Sequence, residues 1–193
     1  LNLTPDPNLF LATDERYFYG LVDSMGVVKI PFLYNYCWVI EGSVYAKCKK
    51  TGKLFALWTT AGKQLTEELY EDILFFKQIP GILFGKLPDI QKYQMLDAQG
   101  KVISRHLLED ISYYDNGFDG TLGGKRAFFD VNGRQLTDFV YSATGSFNNV
   151  GEADKAAQKV GLPQGFRLIC RAVNPAGQWV YIDDKGNEYE MKR

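Results

Sequence analysis

The sequence predicts an all-β protein built from tandem three-stranded antiparallel units with one short helical insertion. Three observations support this prediction. Aromatic residues make up 15% of the 193 residues and 19 residues are glycine, a composition typical of many strands joined by tight turns. A short turn motif recurs five times along the chain. Between the turns, apolar and polar residues alternate with the period of two that is typical of strands.

The recurring motif consists of two apolar residues, then Asp or Thr, two free positions and Gly; it first occurs over residues 21–26. Asp or Thr at the first position of a type I turn accepts hydrogen bonds from the turn's own N–H groups. Glycine adopts positive φ without a steric penalty. The motif therefore predicts one hairpin turn in each unit. The turn residues are Asp23 and Gly26, Thr59 and Gly62, Asp97 and Gly100, Asp130 and Gly133, and Asp183 and Gly186.

A second turn lies upstream of each motif, so each unit reads as strand, turn, strand, turn, strand. The expected units cover roughly 9–36, 43–73, 81–111, 118–141 and 166–190 of a single domain that spans residues 1–193. Units of this kind bury their apolar faces against their neighbours. The sequence leaves open whether the array closes like a propeller or continues as an open superhelix.

The first strand of the second unit shows the alternation most clearly. Val44, Ala46 and Cys48 fall on one side of this strand, and Tyr45 and Lys47 fall on the other. Because successive side chains of a strand point to opposite faces, the pattern predicts a sheet with one buried face.

The fourth and fifth turn motifs are separated by an insertion over residues 142–165. Within it, Glu152–Val160 carries alanine and valine at positions i, i+3, i+4 and i+7, which predicts a short amphipathic helix. Gly161 and Pro163 are expected to end this helix. We expect the helix to pack on the sheet edge, because small alanine side chains make weak anchors for a partner. Docking of a partner on the helix is the alternative.

Charge and hydropathy argue against two classes of partner. The 22 basic and 23 acidic residues give a formal net charge of −1, which provides no field to attract nucleic acid. No apolar run approaches the roughly 20 residues of a membrane helix, so no membrane insertion is expected. Residue 1 is Leu rather than Met, so a secreted or periplasmic location stays open beside the expected cytoplasmic one.

The cysteines Cys37, Cys48 and Cys170 are odd in number and lack the spacing of metal ligands. Cys48 and Cys170 fall on the apolar side of alternating strands. We therefore expect the cysteines to be small core residues rather than members of a disulfide or a metal site.

One copy of the repeat carries a further signature. Tyr19-Gly20 opens a strand that runs into the Asp23 turn, and Ile30-Pro31 and Tyr34 follow. This arrangement resembles the WG repeat family, in which an aromatic-Gly pair precedes an Asp-x-x-Gly turn. The other four copies keep the turn and lose the Gly of the pair. The resemblance covers nearly the whole chain and implies a binding or scaffold module, with no catalytic residues to carry over.

The sequence contains no recognisable catalytic constellation. His106 is the only histidine, and neither a nucleophile-elbow motif nor zinc-ligand spacing accompanies it. The segment 183–188, which is rich in Asp, Asn and Glu, partly resembles a calcium-binding loop. It coincides with the fifth turn, and turn geometry is sufficient to explain it. The sequence therefore predicts no enzyme, no metal site and no cofactor.

Two aromatic clusters between units remain as candidate binding residues. Tyrosine and tryptophan beside Asn or Asp suit both protein hot spots and stacking on sugar rings, and inter-unit core is the structural alternative. The candidates are Tyr34, Tyr36 and Trp38 in the first cluster, and Tyr113, Tyr114 and Asp115 in the second.

These clusters support two function hypotheses. The leading hypothesis is a non-enzymatic protein-binding or scaffold module, an accessory or neutralising partner of another protein. The alternative is a carbohydrate-binding module. A protein site predicts an exposed apolar patch, whereas a sugar site predicts exposed aromatic faces that flank Asn or Asp in a groove.

Overall fold

The structure is a computed structural model that describes residues 2–3, 6–147 and 150–191. The chain forms two compact units, Leu1–Arg105 and His106–Arg193, and from here on the first and second unit are these two rather than repeats of the motif. Its regular structure is β-strand apart from one helix in the described ranges, which confirms the predicted all-β class. The strands form five small antiparallel sheets, and within each sheet the strands follow one another in chain order.

Three sheets begin in the first unit. The strands of the first sheet are β1 (Asn2–Leu3), β2 (Leu9–Thr13), β3 (Tyr19–Asp23) and β4 (Val28–Tyr34). Those of the second are β5 (Tyr36–Val39), β6 (Tyr45–Lys49) and β7 (Ala56–Thr59). Those of the third are β8 (Asp72–Phe75), β9 (Ile82–Lys86), β10 (Tyr93–Asp97) and β11 (Val102–Leu108), the last of which runs through the boundary between the units.

The second unit contains the other two sheets and the helix. The fourth sheet consists of β12 (Asp110–Tyr114), β13 (Gly117–Leu122) and β14 (Lys125–Phe129). The fifth consists of β15 (Ala143–Gly145), β16 (Leu168–Val173), β17 (Trp179–Asp183) and β18 (Glu188–Glu190), with helix α1 (Val150–Val160) between β15 and β16. The second and fourth sheets have three strands because the segments after their turn motifs form isolated bridges rather than a further strand, at Gln64 and Tyr70 in one and at Gln135 and Tyr141 in the other.

The five turn motifs adopt the predicted geometry. Asp23 Oδ1 accepts the Met25 and Val27 N–H groups at 3.0 and 2.9 Å, and Gly26 N–H donates to the Asp23 carbonyl at 3.0 Å. The other three turn aspartates repeat this role; for example, Asp183 Oδ1 accepts the N–H groups of Lys185 and Asn187, while the Thr59 hydroxyl accepts the Lys63 N–H at 3.0 Å. The turn glycines have φ values of 81, 96, 77, 81 and 87°.

The second sheet departs from the prediction of one buried face. Ala46 and Cys48 pack in a cluster with side chains of the first sheet, and Tyr45 packs in another with side chains of the third sheet. Both faces are therefore covered, since a middle member of an array has a neighbour on each side. Val44 was expected beside Ala46 but lies just before β6 and is exposed.

The cysteine expectation is correct for Cys170, which is free and buried, and wrong for the other two. Cys37 and Cys48 are joined by a disulfide. They are direct partners in the register of β5 and β6, so their side chains lie on the same face of adjacent strands. At the corresponding positions the third sheet has Ile73 opposite Gly85, and the fourth has Ile111 opposite Gly120. The cysteine pair is therefore specific to the second sheet among these three.

The predicted insertion helix is confirmed, and it begins two residues earlier than its expected start. It ends at Val160 in a Schellman motif. Leu162 N–H donates to the Ala157 carbonyl at 3.0 Å, and Gly161, at φ 66°, donates to the Gln158 carbonyl at 3.2 Å. Residues 148 and 149 of the insertion lie outside the described residues.

Candidate ligand-binding cavity

The second unit contains a cavity of about 790 Å³. Four parts of the chain form it: the hairpin turn after β12, the residues that follow β15, one side of α1, and the segment that leads into β16. Its volume falls within the range of about 300–1,000 Å³ that is typical of small-ligand sites. The lining combines ring faces with side chains that form hydrogen bonds: Tyr113, Asp115, Asn116, Phe147, Asp154, Phe166 and Arg167.

The hairpin turn is held in place by the neighbouring sheet. Asp115 and Asn116 connect β12 to β13, where Tyr114 and Gly117 are paired. The side-chain amide of Asn116 donates to the Leu168 carbonyl of β16 at 3.4 Å. The polar end of the hairpin therefore has a fixed position at one side of the cavity.

Arg171 fixes the opposite side, which belongs to the insertion. Its Nη2 donates to the Ser146 carbonyl at 2.8 Å, and its Nη1 lies 3.5 Å from Glu152 Oε1 of α1. Its guanidinium lies 5.9 Å from the centre of the Phe147 ring, which stacks on Tyr181. One side chain of β16 thus joins the start of the helix and the preceding loop to the sheet.

Tyr114, which lines the cavity, belongs to a buried polar network. Tyr114 is buried, and its hydroxyl donates to Asp119, which is fully buried. Arg126 Nη1 donates to Asp119 Oδ1 at 2.5 Å and to Ser112 Oγ at 3.1 Å. A buried carboxylate is expensive unless it is paired, and here both of its oxygens accept hydrogen bonds.

Burial dominates the electrostatics of this network. Desolvation raises the pKa of Asp119, while hydrogen bonds from Tyr114, Arg126 and Thr144 oppose that shift. Desolvation followed by the neighbouring Asp119 charge raises the pKa of the Tyr114 hydroxyl. Burial also raises the pKa of the Cys170 thiol, which disfavours the thiolate. Asp119 and Cys170 lie behind the lining of the cavity. The charged side chains in the lining are Asp115, Asp154 and Arg167.

The structure brings together the three residues predicted in the second cluster. Tyr113, Tyr114 and Asp115 all line the cavity. Tyr113 and Asp115 are exposed and present a ring and a carboxylate, while Tyr114 contributes the edge of a buried ring.

The first cluster divides into two environments. Tyr34 is buried and packs edge-on against Trp58, with the ring centres 6.1 Å apart. Tyr36 and Trp38, two positions apart on β5, are 58% and 69% exposed. The Lys49 ammonium lies 5.3 Å from the centre of the Tyr36 ring. Only Tyr36 and Trp38 therefore present exposed ring surface.

Sequence reasoning missed half of the cavity. Phe147, Asp154, Phe166 and Arg167 belong to the insertion or to the residues just after it, and none was singled out as a binding residue. The available signal was the insertion itself, because long insertions into a repeat array are often functional. Which of its side chains face a cavity depends on how α1 docks, and the periodicity of the sequence does not specify this.

Comparison with known proteins provides no family assignment. No protein-family model matches the chain, and no curated protein matches it. Among solved structures, the chain is similar to a crystal structure of the computationally designed Ika8 protein, with 11% identity and a TM-score of 0.35; the match covers 96% of this chain and 58% of that one.

Neither a membrane-spanning helix nor a cluster of metal ligands occurs among the described residues. Their helix, α1, is not long and apolar enough to cross a membrane. Over the same ranges, no group of three or more His, Cys, Asp or Glu side chains could hold a metal ion. The acidic turn at Asp183 is satisfied internally, since its carboxylate also accepts the Tyr189 hydroxyl at 2.9 Å.

Proposed function

We propose that this protein is a non-catalytic binding module and that the cavity of the second unit takes a carbohydrate. The observation that carries the proposal is the composition of the lining. Tyr113, Phe147 and Phe166 provide rings, and Asp115 and Asn116 provide hydrogen-bonding side chains at the hairpin turn. A sugar presents an apolar ring face together with hydroxyl groups, so it can use both kinds of side chain at once.

The cavity is also preorganised for a rigid ligand. Asn116 is tied to β16, and Arg171 ties the loop and the helix to the same strand. Preorganisation lowers the entropy that binding must overcome. Arg167 and Asp154 add charges of both signs at the cavity, which favours a ligand with several polar groups over a purely apolar one.

The test is a glycan array followed by isothermal titration calorimetry with the sugar that binds best. Tyr113→Ala and Asp115→Ala are each expected to weaken binding at least tenfold, because one removes a stacking face and the other a hydrogen-bond acceptor. Trp38→Ala is the matched control, since it removes an exposed aromatic ring from the first unit and should leave the affinity unchanged. Absence of binding to any glycan, or equal affinity in all three variants, would reject the proposal.

A protein-binding role is the second candidate, favoured by the exposed pair Tyr36 and Trp38. Both lie on β5, which stands first in the order of the second sheet, so they present aromatic surface at its edge. Tryptophan and tyrosine dominate protein hot spots. The Lys49 ammonium, 4.6 Å from the Phe55 ring centre and beside Tyr36, gives this surface a positive charge suited to an acidic partner.

This candidate is tested by affinity capture with quantitative mass spectrometry. A stoichiometric partner should be retained by wild-type protein and by Tyr113→Ala, and lost with Trp38→Ala. A partner that is lost only with Tyr113→Ala would place protein binding at the cavity instead. The absence of any partner that depends on Trp38 would reject the role of this surface.

A further inference from the structure

A specific contact recurs between successive copies of the repeat. The turn glycine of one copy lies against the residue three positions after the turn glycine of the preceding copy. A Cβ placed on Gly62 would lie 2.5 Å from the Lys29 carbonyl oxygen, and one placed on Gly186 would lie 2.6 Å from the Leu136 carbonyl oxygen. Gly100 is packed in the same way, 2.9 Å from the Leu65 Cβ. The second copy thus docks on the first, the third on the second and the fifth on the fourth through the same pair of positions.

The turn of the first copy has the same geometry, but its glycine is not packed in this way. Gly26 has a φ of 81°, like the other turn glycines, and none of the residues that the structure describes lies within 4 Å of a Cβ placed on it. Around it, Met25 is 88% exposed, and Val27 and Val28 are each 50% exposed. The turn therefore presents an apolar tip to solvent.

The other four turns are different at the same three exposed positions. They carry polar or charged side chains at ten of these twelve positions, and Ala61 and Val102 are the exceptions, as expected for surface turns. The residues are Ala61, Lys63 and Gln64; Gln99, Lys101 and Val102; Asn132, Arg134 and Gln135; and Lys185, Asn187 and Glu188. An apolar set at the turn with the unpacked glycine is typical of an interaction surface.

The complementary half of the contact occurs in the fifth copy. Tyr189 stands three positions after Gly186, where Leu65 and Leu136 stand in their own copies. Tyr189 pairs with Tyr181 across the ladder. In the same way Leu65 N–H donates to the Leu57 carbonyl and Leu136 N–H donates to the Phe128 carbonyl, each at 2.8 Å. The backbone of the Tyr189 segment thus has the form that receives a turn glycine elsewhere in the chain.

We propose that the Gly26 turn of one molecule docks on the Tyr189 segment of a second copy, head to tail. The proposal is independent of the carbohydrate site, because it rests on other residues. It extends to a second molecule the contact that joins copies within the chain, and it removes Met25, Val27 and Val28 from water. A head-to-tail contact uses two different surfaces, so it leaves a free surface at each end and allows further molecules to add.

The test is sedimentation velocity of the whole chain over a wide range of concentrations. The sedimentation coefficient of the wild-type protein is expected to rise with concentration. Gly26→Asn is expected to sediment as a monomer at every concentration, because its Cβ would collide with the docked carbonyl. Asn tolerates positive φ, and the space around Gly26 is open, so the variant should keep the wild-type circular dichroism spectrum.

A second variant keeps the test decisive if Gly26→Asn folds poorly. Val27→Lys places at this turn the residue that the second and third turns carry as Lys63 and Lys101, and it should also abolish association. Lys101→Gln is the matched control at the same position of the third turn, and it should associate like wild type. A wild-type protein that stays monomeric at all concentrations would overturn the proposal, as would unchanged association of Gly26→Asn and Val27→Lys.

Mixing two blocked variants tests the orientation. Glu190→Trp obstructs the Tyr189 segment, at the position where the Thr66 methyl packs 3.1 Å from a Cβ placed on Gly100. Alone, Glu190→Trp and Gly26→Asn should each be monomeric. Mixed, they retain one competent contact and should form a 1:1 dimer that does not grow. A mixture that remains monomeric, or either variant forming dimers alone, would contradict the head-to-tail contact.

Discussion

The second and fourth sheets are two versions of one three-stranded unit. The segments after their turns, residues 62–66 and 133–137, share the sequence Gly, a basic residue, Gln, Leu, Thr. The Thr66 hydroxyl accepts the Leu57 N–H at 3.0 Å, and the Thr137 hydroxyl accepts the Phe128 N–H at 3.0 Å. The turn and its hydrogen bonds are therefore repeated almost atom for atom.

The middle strands of the same two sheets use different chemistry. At corresponding register positions, β6 carries Lys47 opposite Leu57 and β13 carries Asp119 opposite Phe128. Lys47 is half-buried and pairs with the partly exposed Asp72, whereas Asp119 is fully buried between Tyr114 and Arg126. The comparison teaches that the turn hydrogen bonds are what the repeats share. The middle strand can vary, so that the fourth sheet borders a cavity while the second sheet is covered on both faces.

The largest effect is expected from removing the buried charge of Asp119, with Lys47 at the corresponding position of the second sheet as the comparison. Asp119→Ala leaves Arg126 and the Tyr114 hydroxyl without their buried partner and should cost about 3–5 kcal/mol of the free energy of unfolding. Lys47→Ala breaks a partly exposed pair and should cost about 1 kcal/mol or less. Urea unfolding followed by circular dichroism measures both. Asp119→Asn, which keeps the shape of the side chain, should lose less than Asp119→Ala, and equal losses for Asp119→Ala and Lys47→Ala would break the comparison.

The disulfide should give the next largest effect. Cys37 and Cys48 are 11 residues apart in sequence, and closing a loop of about this length stabilises a protein by about 3 kcal/mol. Cys37→Ala/Cys48→Ala should therefore lose about that amount, with faster hydrogen exchange confined to peptides of the first and second sheets. A reducing agent should destabilise wild-type protein and leave the double variant unchanged. Equal sensitivity of both proteins to the reducing agent would contradict a stabilising disulfide.

The loss of the threonine hydroxyl should have a smaller effect than loss of Asp119 or of the disulfide, and it should be the same in both sheets. Thr66→Val and Thr137→Val each remove the acceptor of one strand N–H while keeping the shape of the side chain. Each should cost about 1–2 kcal/mol, because an N–H loses its partner. Hydrogen exchange should accelerate at Leu57 in one variant and at Phe128 in the other. Losses that differ by more than about 1 kcal/mol would show that the shared bond contributes differently in the two copies.

The local sequence predicted what local physics controls. The turns at Asp23 and Asp130 follow from side-chain hydrogen bonds to N–H groups no more than four residues away, together with the freedom of glycine at positive φ. The insertion helix follows from its alanine periodicity and from the glycine at its end. For the same reason the prediction of small antiparallel units was correct. The WG resemblance stays a prediction.

The sequence did not predict features that depend on which segments meet in space. Cys37 and Cys48 form a pair because the hairpin register makes them opposite neighbours, whereas alternation assigned Cys48 only to a face and did not place Cys37. Tyr45 and Ala46 are both buried because neighbouring sheets cover both faces of β6. The burial of Asp119 also was not predicted, because it depends on Tyr114 and Arg126, which pair with its carboxylate in the folded chain.

The sequence by itself thus determined the all-β class, the five turns and the helix, because each depends on residues close together in the chain. The tertiary structure decided which of the aromatic residues are buried, which are exposed and which line the cavity. Tyr34 became core, Tyr36 and Trp38 stayed at a sheet edge, and Tyr113 joined the insertion around a cavity. The physical reason is that ring exposure depends on packing between segments far apart in sequence, and the composition of a segment does not reveal which neighbour will cover it.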